Sequence, residues 1–411
     1  MTVRVGITGI GMITPVGNDT ETAWQALRAG TSGIGPLTHF DTSQHDVRIA
    51  GEVKSFGPLR YLDRKEVRRT DRFVQFAIGA ATQAVADSGL DIASMPDDVG
   101  VVIGSGSGGL ATLDQQFRVL FERGPDRISP FFITMMVTDM ASGYVSMLTG
   151  ARGPNFATVS ACATGAHAIG ESFEIIRRGD AMAMLAGGAE AGSTPMTLAA
   201  FSTMHALSRR NDDPSHASRP FDAKRDGFVL GEGAGVVVLE NLEHARARGA
   251  HVYAEILGYA ATSDAHHITE PAPGGAGLAR AMRRALKKAN LQPERIDYIN
   301  AHGTSTKYND RDETTAVKEV FGEHANRLAI SSTKSMTGHL MGAAGGVEVA
   351  ITALALRDGI LPPTINYEFP DPECDLDYIP NVAREQDIQV AASNSMGFGG
   401  HNAVIILGRG D

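Results

Sequence analysis

Four short stretches of this 411-residue chain group the residue types that nucleophilic and proton-handling chemistry needs. In VSACATGAHAIG (159–170), one of only two cysteines, Cys162, sits among small residues where a segment with helical spacing begins. A cysteine so placed is either a small buried hydrophobe or a nucleophile, since a helix N-terminus favours the thiolate. YINAHGTSTKYND (298–310) sets His302 just past an apolar run and beside the hydroxyls of Thr304, Ser305 and Thr306. SSTKSMTGHLMGAAGG (331–346) puts Lys334 and His339 in a turn ahead of a glycine- and alanine-rich helix. SNSMGFGGHNA (393–403) carries glycines that let backbone approach a ligand closely. Alone, each histidine or glycine-rich turn reads as structural; His266 and His267, as neighbours, lack a metal-ligand spacing.

The elements that must position these residues alternate along the chain. VRVGITG (3–9) and VGVVIGS (99–105) read as strands, the second apolar throughout as in a strand buried on both faces. A helix is expected from about Glu21 to Ala29, and one long amphipathic helix over 64–89 with Lys65, Arg68, Arg69 and Arg72 on it. Around Cys162 the order is strand (NFATVSA), helix (GAHAIGESFEIIRRGD) and strand (AMAMLAGGAEA), the pattern of a parallel sheet covered by helices. Residues 208–227 read as a long polar loop before the strand in 231–242. The second half repeats the alternation, and without a linker the halves are expected to pack as one body.

The whole-chain properties exclude several classes. A net charge of −10 argues against a nucleic-acid binder. Two cysteines, Cys162 and Cys374, build no disulfide framework, which points to a reducing cytoplasm. MTVRVGITGIGMITPVG lacks the features of a signal peptide, and no run of about 18 apolar residues offers a membrane span.

Together the four stretches are specific. The chain resembles the β-ketoacyl-acyl-carrier-protein synthases, most closely the elongating type II enzymes of bacterial fatty-acid synthesis. The likeness runs from TGIGMITPVGN to GFGGHN, and covers TVSACATGAHAIGESFEIIRRGDA, INAHGTSTKYND and SSTKSMTGHLMGAAGGVE at nearly every position. It implies a thiolase-type α/β fold of two similar halves in five layers, α/β/α/β/α, divided at 1–250 and 251–411 and assembled as a homodimer. It implies an acyltransferase that loads an acyl chain onto Cys162, decarboxylates malonyl-carrier protein and joins the resulting carbanion to the acyl group.

The resemblance also distributes roles. Cys162 becomes the acylated nucleophile, its pKa expected to be lowered by the helix behind it. The backbone N–H groups of Cys162 and Phe398 would form the oxyanion hole. His302 and His339 would donate to the enolate, with Lys334 and Glu348 holding the local electrostatics. Thr269, Thr304 and Thr306 would bind the phosphopantetheine arm that the substrate brings. Phe201 and Phe398 would gate the acyl tunnel, and Ser107, where relatives carry a branched apolar residue, would leave that tunnel more open. Lys65 and Arg69 would dock an acidic acyl carrier protein. No cofactor is required, although a structural monovalent or divalent cation near Asn300, Glu348, Ser393 and Asn394 is implied.

Met396 and His401, in NSMGFGGHN, depart from the NSFGFGGTN common among relatives. A type II polyketide ketosynthase is the nearest rival reading. A non-catalytic chain-length factor would lack the nucleophile, and a degradative thiolase would need a second basic cysteine, for which Cys374 in DPECDLD has no setting.

Overall fold

A computed structural model describes residues 3–410. Its centre is a sheet of ten strands: β1 (Val5–Ile13), β2 (Val99–Gly104), β3 (Asn155–Phe156), β4 (Ala183–Glu190), β5 (Gly233–Asn241), β6 (Ala254–Ser263), β7 (Tyr298–Asn300), β8 (Ala329–Ser331), β9 (Val390–Gly397) and β10 (His401–Arg409). They lie in the order β3-β2-β4-β5-β1-β6-β10-β9-β7-β8. Numbered within β1–β5 and within β6–β10, both sets run third, second, fourth, fifth, first from edge to centre. The sets meet where Val5–Ile7 of β1 pairs antiparallel with Ile256–Ala254 of β6.

Alternate residues of these strands feed different cores, because side chains point to opposite faces with period two. Val237 and Leu239 of β5, and Ile405 and Leu407 of β10, belong to one inner core. That core also holds residues of two helices, α3 (Thr164–Arg178) and α6 (Ala344–Asp358). Val236 and Val238 face outward onto α1 (Arg72–Ser88). Val404 and Ile406 face outward onto α4 (Ala276–Ala289) and α5 (Lys307–Phe321). Helix, sheet, helix, sheet, helix is therefore the layer order, with α3 and α6 sandwiched and α2 (Leu110–Arg123) lying outside the inner core.

Three local expectations are corrected. The sheet is mixed: only β2 with β3 and β4, and β7 with β8 and β9, pair in parallel, and every other pairing is antiparallel. The turn from β9 to β10 is a hairpin, with Gly399 at φ 87° and Gly400 at φ 74°, and a hairpin fixes antiparallel pairing. The helix expected over 64–89 is two: Arg64–Val67, capped by Asp63, and α1, whose new N-cap Asp71 accepts from Phe73 N–H at 3.3 Å. The strand NFATVSA stops after Phe156, because Thr158 and Thr164 spend their hydroxyls on nearby backbone, Thr158 Oγ1 on Thr164 O and Ser160 N–H on Thr164 Oγ1, both at 2.9 Å.

Candidate active site

Cys162 lies in a single tight turn, Ala161–Ala163, that runs into α3. Ala161 takes φ 49°, a left-handed conformation that costs a non-glycine residue of order 1–3 kcal/mol and persists only where the surroundings impose it. The surroundings here are the tip of the β9–β10 hairpin. A Cβ on Gly397 would lie 2.5 Å from Ser160 O and 3.2 Å from Cys162 N, so only glycine lets the two backbones meet. That contact brings the Phe398 N–H onto the Cys162 sulfur.

Cys162 is 5% exposed. Burial pushes its thiol up to about 12, with the Lys334 charge pulling back and Glu190 and Glu348 adding to the rise. The helix N-terminus was expected to win; burial wins instead, so the resting sulfur carries its proton.

Opposite stand His302 and His339, each 3% exposed, with ring centroids 5.3 Å apart at 83°. Burial first, then the Lys334 charge, hold both imidazoles well below their ordinary pKa, so both are neutral. Their tautomers follow from their neighbours. Lys334 Nζ lies 3.4 Å from His302 Nδ1, and Met341 N–H donates to His339 Nδ1 at 3.3 Å. An Nδ1 that accepts leaves the proton on Nε2. The site thus holds two neutral N–H donors.

Behind them Lys334 is ion-paired with Glu348, both buried. Glu348 Oε2, Asn300 Oδ1, Ser393 Oγ and Asn394 Oδ1 are buried oxygens with no hydrogen-bond partner in the protein. Asn300 and Ser393 are cross-strand neighbours, and Asn300 Nδ2 donates to the Glu348 carbonyl at 3.3 Å. Asn394, one residue on, faces the other way and donates to Glu313 at 3.1 Å.

Glu313 escaped the sequence reading. Buried on α5, it accepts from the N–H groups of His302 at 2.9 Å and Gly303 at 2.8 Å, fixing the backbone that presents His302. Eleven residues separate it from His302 in a plain amphipathic helix, so no local signal marks it. Glu190 was missed likewise; it accepts from Ser105, Gly106, Ser107 and Gly342.

A cavity of about 460 Å³ joins these parts. Cys162, Phe398, His302 and His339 line it, as do Phe201, Thr269, Thr304 and Thr306, together with the departures Met396 and His401. Thr304 and Thr306 hold their hydroxyls 3.0 Å apart. Phe201 leans toward Phe398 at 6.4 Å between centroids. Ser107 is not on this wall: its hydroxyl is bonded to Glu190. Of the two docking cations, Lys65 is exposed, whereas Arg69 is half-buried, 3.5 Å from Glu66 with its guanidinium 4.4 Å over Phe131. Among the described residues no helix is long and apolar enough to cross a membrane.

Two families match in succession: beta-ketoacyl synthase, N-terminal domain, over residues 2–245, and its C-terminal domain over 253–368. A Synechocystis protein named 3-oxoacyl-[acyl-carrier-protein] synthase 2 is 54% identical over 403 residues, 98% of this chain and 97% of that one. A Staphylococcus aureus protein of the same name is 53% identical over 98% of each chain. Among solved structures, a type II PKS acyl-carrier protein in complex with its ketosynthase, bound to the hexaketide, superposes with a TM-score of 0.93 at 34% identity over the full length of both chains.

Proposed function

Because the chain belongs to the β-ketoacyl synthase family, whose thiolase-type fold it shares, we propose that it is a 3-oxoacyl-[acyl-carrier-protein] synthase that elongates fatty acyl chains by decarboxylative condensation. The observation that carries this reading is one cavity lined at once by a thiol under a backbone N–H and by two neutral imidazole donors. Identity of 53–54% to elongating synthases, against 34% to the polyketide ketosynthase, favours fatty-acid over polyketide elongation.

The chemistry follows from where protons can sit. Cys162 attacks the carbonyl of an acyl thioester; its proton leaves with the departing pantetheine thiol, and the acyl group stays on sulfur. The N–H groups of Cys162 and Phe398 take the developing oxyanion, where one donor is typically worth about 2.7–4 kcal/mol. Malonyl thioester then enters the emptied channel. Loss of CO2 leaves an enolate whose oxygen accepts from Nε2–H of His302 and His339. Two neutral donors suit this step better than imidazolium ions, which would surrender a proton to the enolate and quench the carbon nucleophile. The enolate carbon attacks the acyl carbonyl, the Cys162 sulfur leaves as thiolate, and a β-ketoacyl thioester is released. The thiolate then takes one proton from water entering the emptied channel, which restores the resting thiol.

On this reading the half 1–250 supplies the nucleophile and 251–411 the histidine pair. Thr269, Thr304 and Thr306 hold the phosphopantetheine arm, and Phe201 and Phe398 separate the acyl and malonyl chambers. Ser107, bonded to Glu190 off this cavity, would bear on an acyl tunnel only beyond the cavity wall, and Lys65 with Arg69 meets an acidic carrier protein. Burial and the Lys334 charge keep the imidazoles neutral, and Glu348 pairs with Lys334 behind them. A hard cation would be held by the partnerless oxygens of Asn300, Glu348 and Ser393, with Asn394 turned away toward Glu313, and would take no part in bond making. Both cysteines being free agrees with a cytoplasmic setting. The test is to supply acyl- and malonyl-carrier protein and weigh the products: a two-carbon-longer β-ketoacyl-carrier protein with one CO2 is expected, and decarboxylation without elongation would refute the proposal.

We also infer a homodimer. Strand β3 is an open edge of the sheet, and Phe156 on it is 42% exposed. On α2, Phe117 and Phe121 stack at 6.2 Å with Phe121 82% exposed, and beyond that helix Ile133 is 60% exposed. A second copy of this chain would cover both the edge and these rings. Phe121→Asp is expected to move the protein from dimer mass to monomer mass in light scattering; a monomeric parent would sink the inference.

A further inference from the structure

The stretch 208–227, read from the sequence as a long polar loop, buries three charged side chains. Arg219 and Arg225 are 2% and 3% exposed, and Asp222 is fully buried. Withdrawing an ion from water costs several kcal/mol unless it is paired and hydrogen-bonded, so these groups are held there by specific partners. Arg219 Nε donates to Asp222 at 2.9 Å and Nη2 to Glu368 at 3.2 Å. Arg225 lies 3.6 Å from Asp310 and donates to Asp371.

What Arg225 grips beyond these carboxylates is backbone. Its Nε donates to the Thr306 carbonyl and its Nη2 to the Lys307 carbonyl, each at 3.1 Å, while Nη1 reaches the Asp222 carbonyl at 2.9 Å. The same loop adds two bonds: Gly227 N–H to Ser305 O at 3.1 Å and Arg219 N–H to Ser305 Oγ at 3.0 Å. Ser305 needs them. Its φ of 69° is left-handed, unfavourable for a side chain with a Cβ, and it lies between the two threonines whose hydroxyls line the cavity.

We propose that Arg225 is a positioning residue for the substrate's pantetheine arm: by clamping the Thr306 and Lys307 carbonyls it holds the strained Ser305 turn, and with it the Thr304 and Thr306 hydroxyls, in place. This rests on the reading of the cavity as the pantetheine channel. Arginine is required because its planar fork reaches several carbonyls and a carboxylate at once, which a single ammonium cannot do.

Arg225→Lys keeps the charge opposite Asp310 and Asp371 but cannot span both carbonyls. The expected result is a KM for malonyl-pantetheine raised about 10-fold with kcat within about twofold, the signature of lost binding rather than lost chemistry. Alkylation of Cys162 by iodoacetamide, which needs no threonine, stays at the parent rate. Asp371→Asn loosens Arg225 from its far side and is expected to raise the same KM by about threefold; it carries the test alone if Arg225→Lys does not fold. The Thr304→Val, Thr306→Val double variant is expected to raise KM as Arg225→Lys does, and adding Arg225→Lys to it to change nothing further, because both act through one contact. A parent-like KM in Arg225→Lys or Asp371→Asn, or additive effects, with the threonine variant impaired, would overturn the clamp and leave the channel intact. A parent-like KM in the threonine variant would overturn the channel itself.

Discussion

Cys162→Ala is expected to lose condensation by at least about 10⁴-fold, since removing a covalent nucleophile leaves only binding and the oxyanion donors. Folding should survive. The side chain is small, its loss belongs among ordinary substitutions costing about 1 kcal/mol, and the Ala161–Ala163 turn already carries alanine on both sides. The variant should still bind malonyl-pantetheine, because His302, His339 and the threonines are on other elements. Elongation measured by mass spectrometry of the carrier protein, beside a thermal melt, checks both parts. Retained elongation in a folded variant would mean that another group carries the acyl chain.

His302→Ala and His339→Ala are each expected to slow malonyl decarboxylation by about 10²–10³-fold, the usual loss for one donor to a developing oxyanion. Self-acylation of Cys162 should fall far less, because that step draws on backbone N–H groups. The double variant should be little worse than either single one, since two donors to one oxygen act as a unit. Counting CO2 release separately from acyl-enzyme formation tests the division; parallel losses in both would contradict it. A pH profile adds a sign. Both imidazoles titrate well below their ordinary pKa, so decarboxylation should show no acid limb near pH 6.5. Lys334→Ala removes a charge that lowers both, and should move an acid limb up toward that range while burial, the larger cause, still holds it below.

How far the sequence carried this reading depended on whether the physics was local. Cys162, His302, His339 and Phe398 each sit in a short stretch that alone reads as structural; the resemblance carried by the four stretches together singled them out, and the fold gathers all four on one cavity. The alternation of strands and helices was legible from periodicity, but strand direction was not. Direction depends on how the chain returns, and the β9–β10 hairpin reverses what the strand–helix–strand order suggested. Three failures share a cause. The thiol was expected to ionise readily because its helix is visible in sequence, while the burial that raises its pKa depends on elements hundreds of residues away. Glu313 looks like any solvated glutamate until it closes on the His302 backbone. The 208–227 loop looks polar because it is, yet its charges are matched by Asp310, Glu368 and Asp371 from the far half of the chain. Composition reports the charges and not their partners.

The account stands on Cys162 as the acyl carrier. The most direct measurement is peptide-level mass spectrometry of the protein after acyl-carrier protein is added, and again after malonyl-carrier protein follows. The peptide containing Cys162 should gain the mass of the acyl group in the first sample and lose it in the second, as CO2 and elongated product appear. Acyl mass on any other residue, or an acyl-Cys162 that malonyl-carrier protein fails to discharge, would contradict the account.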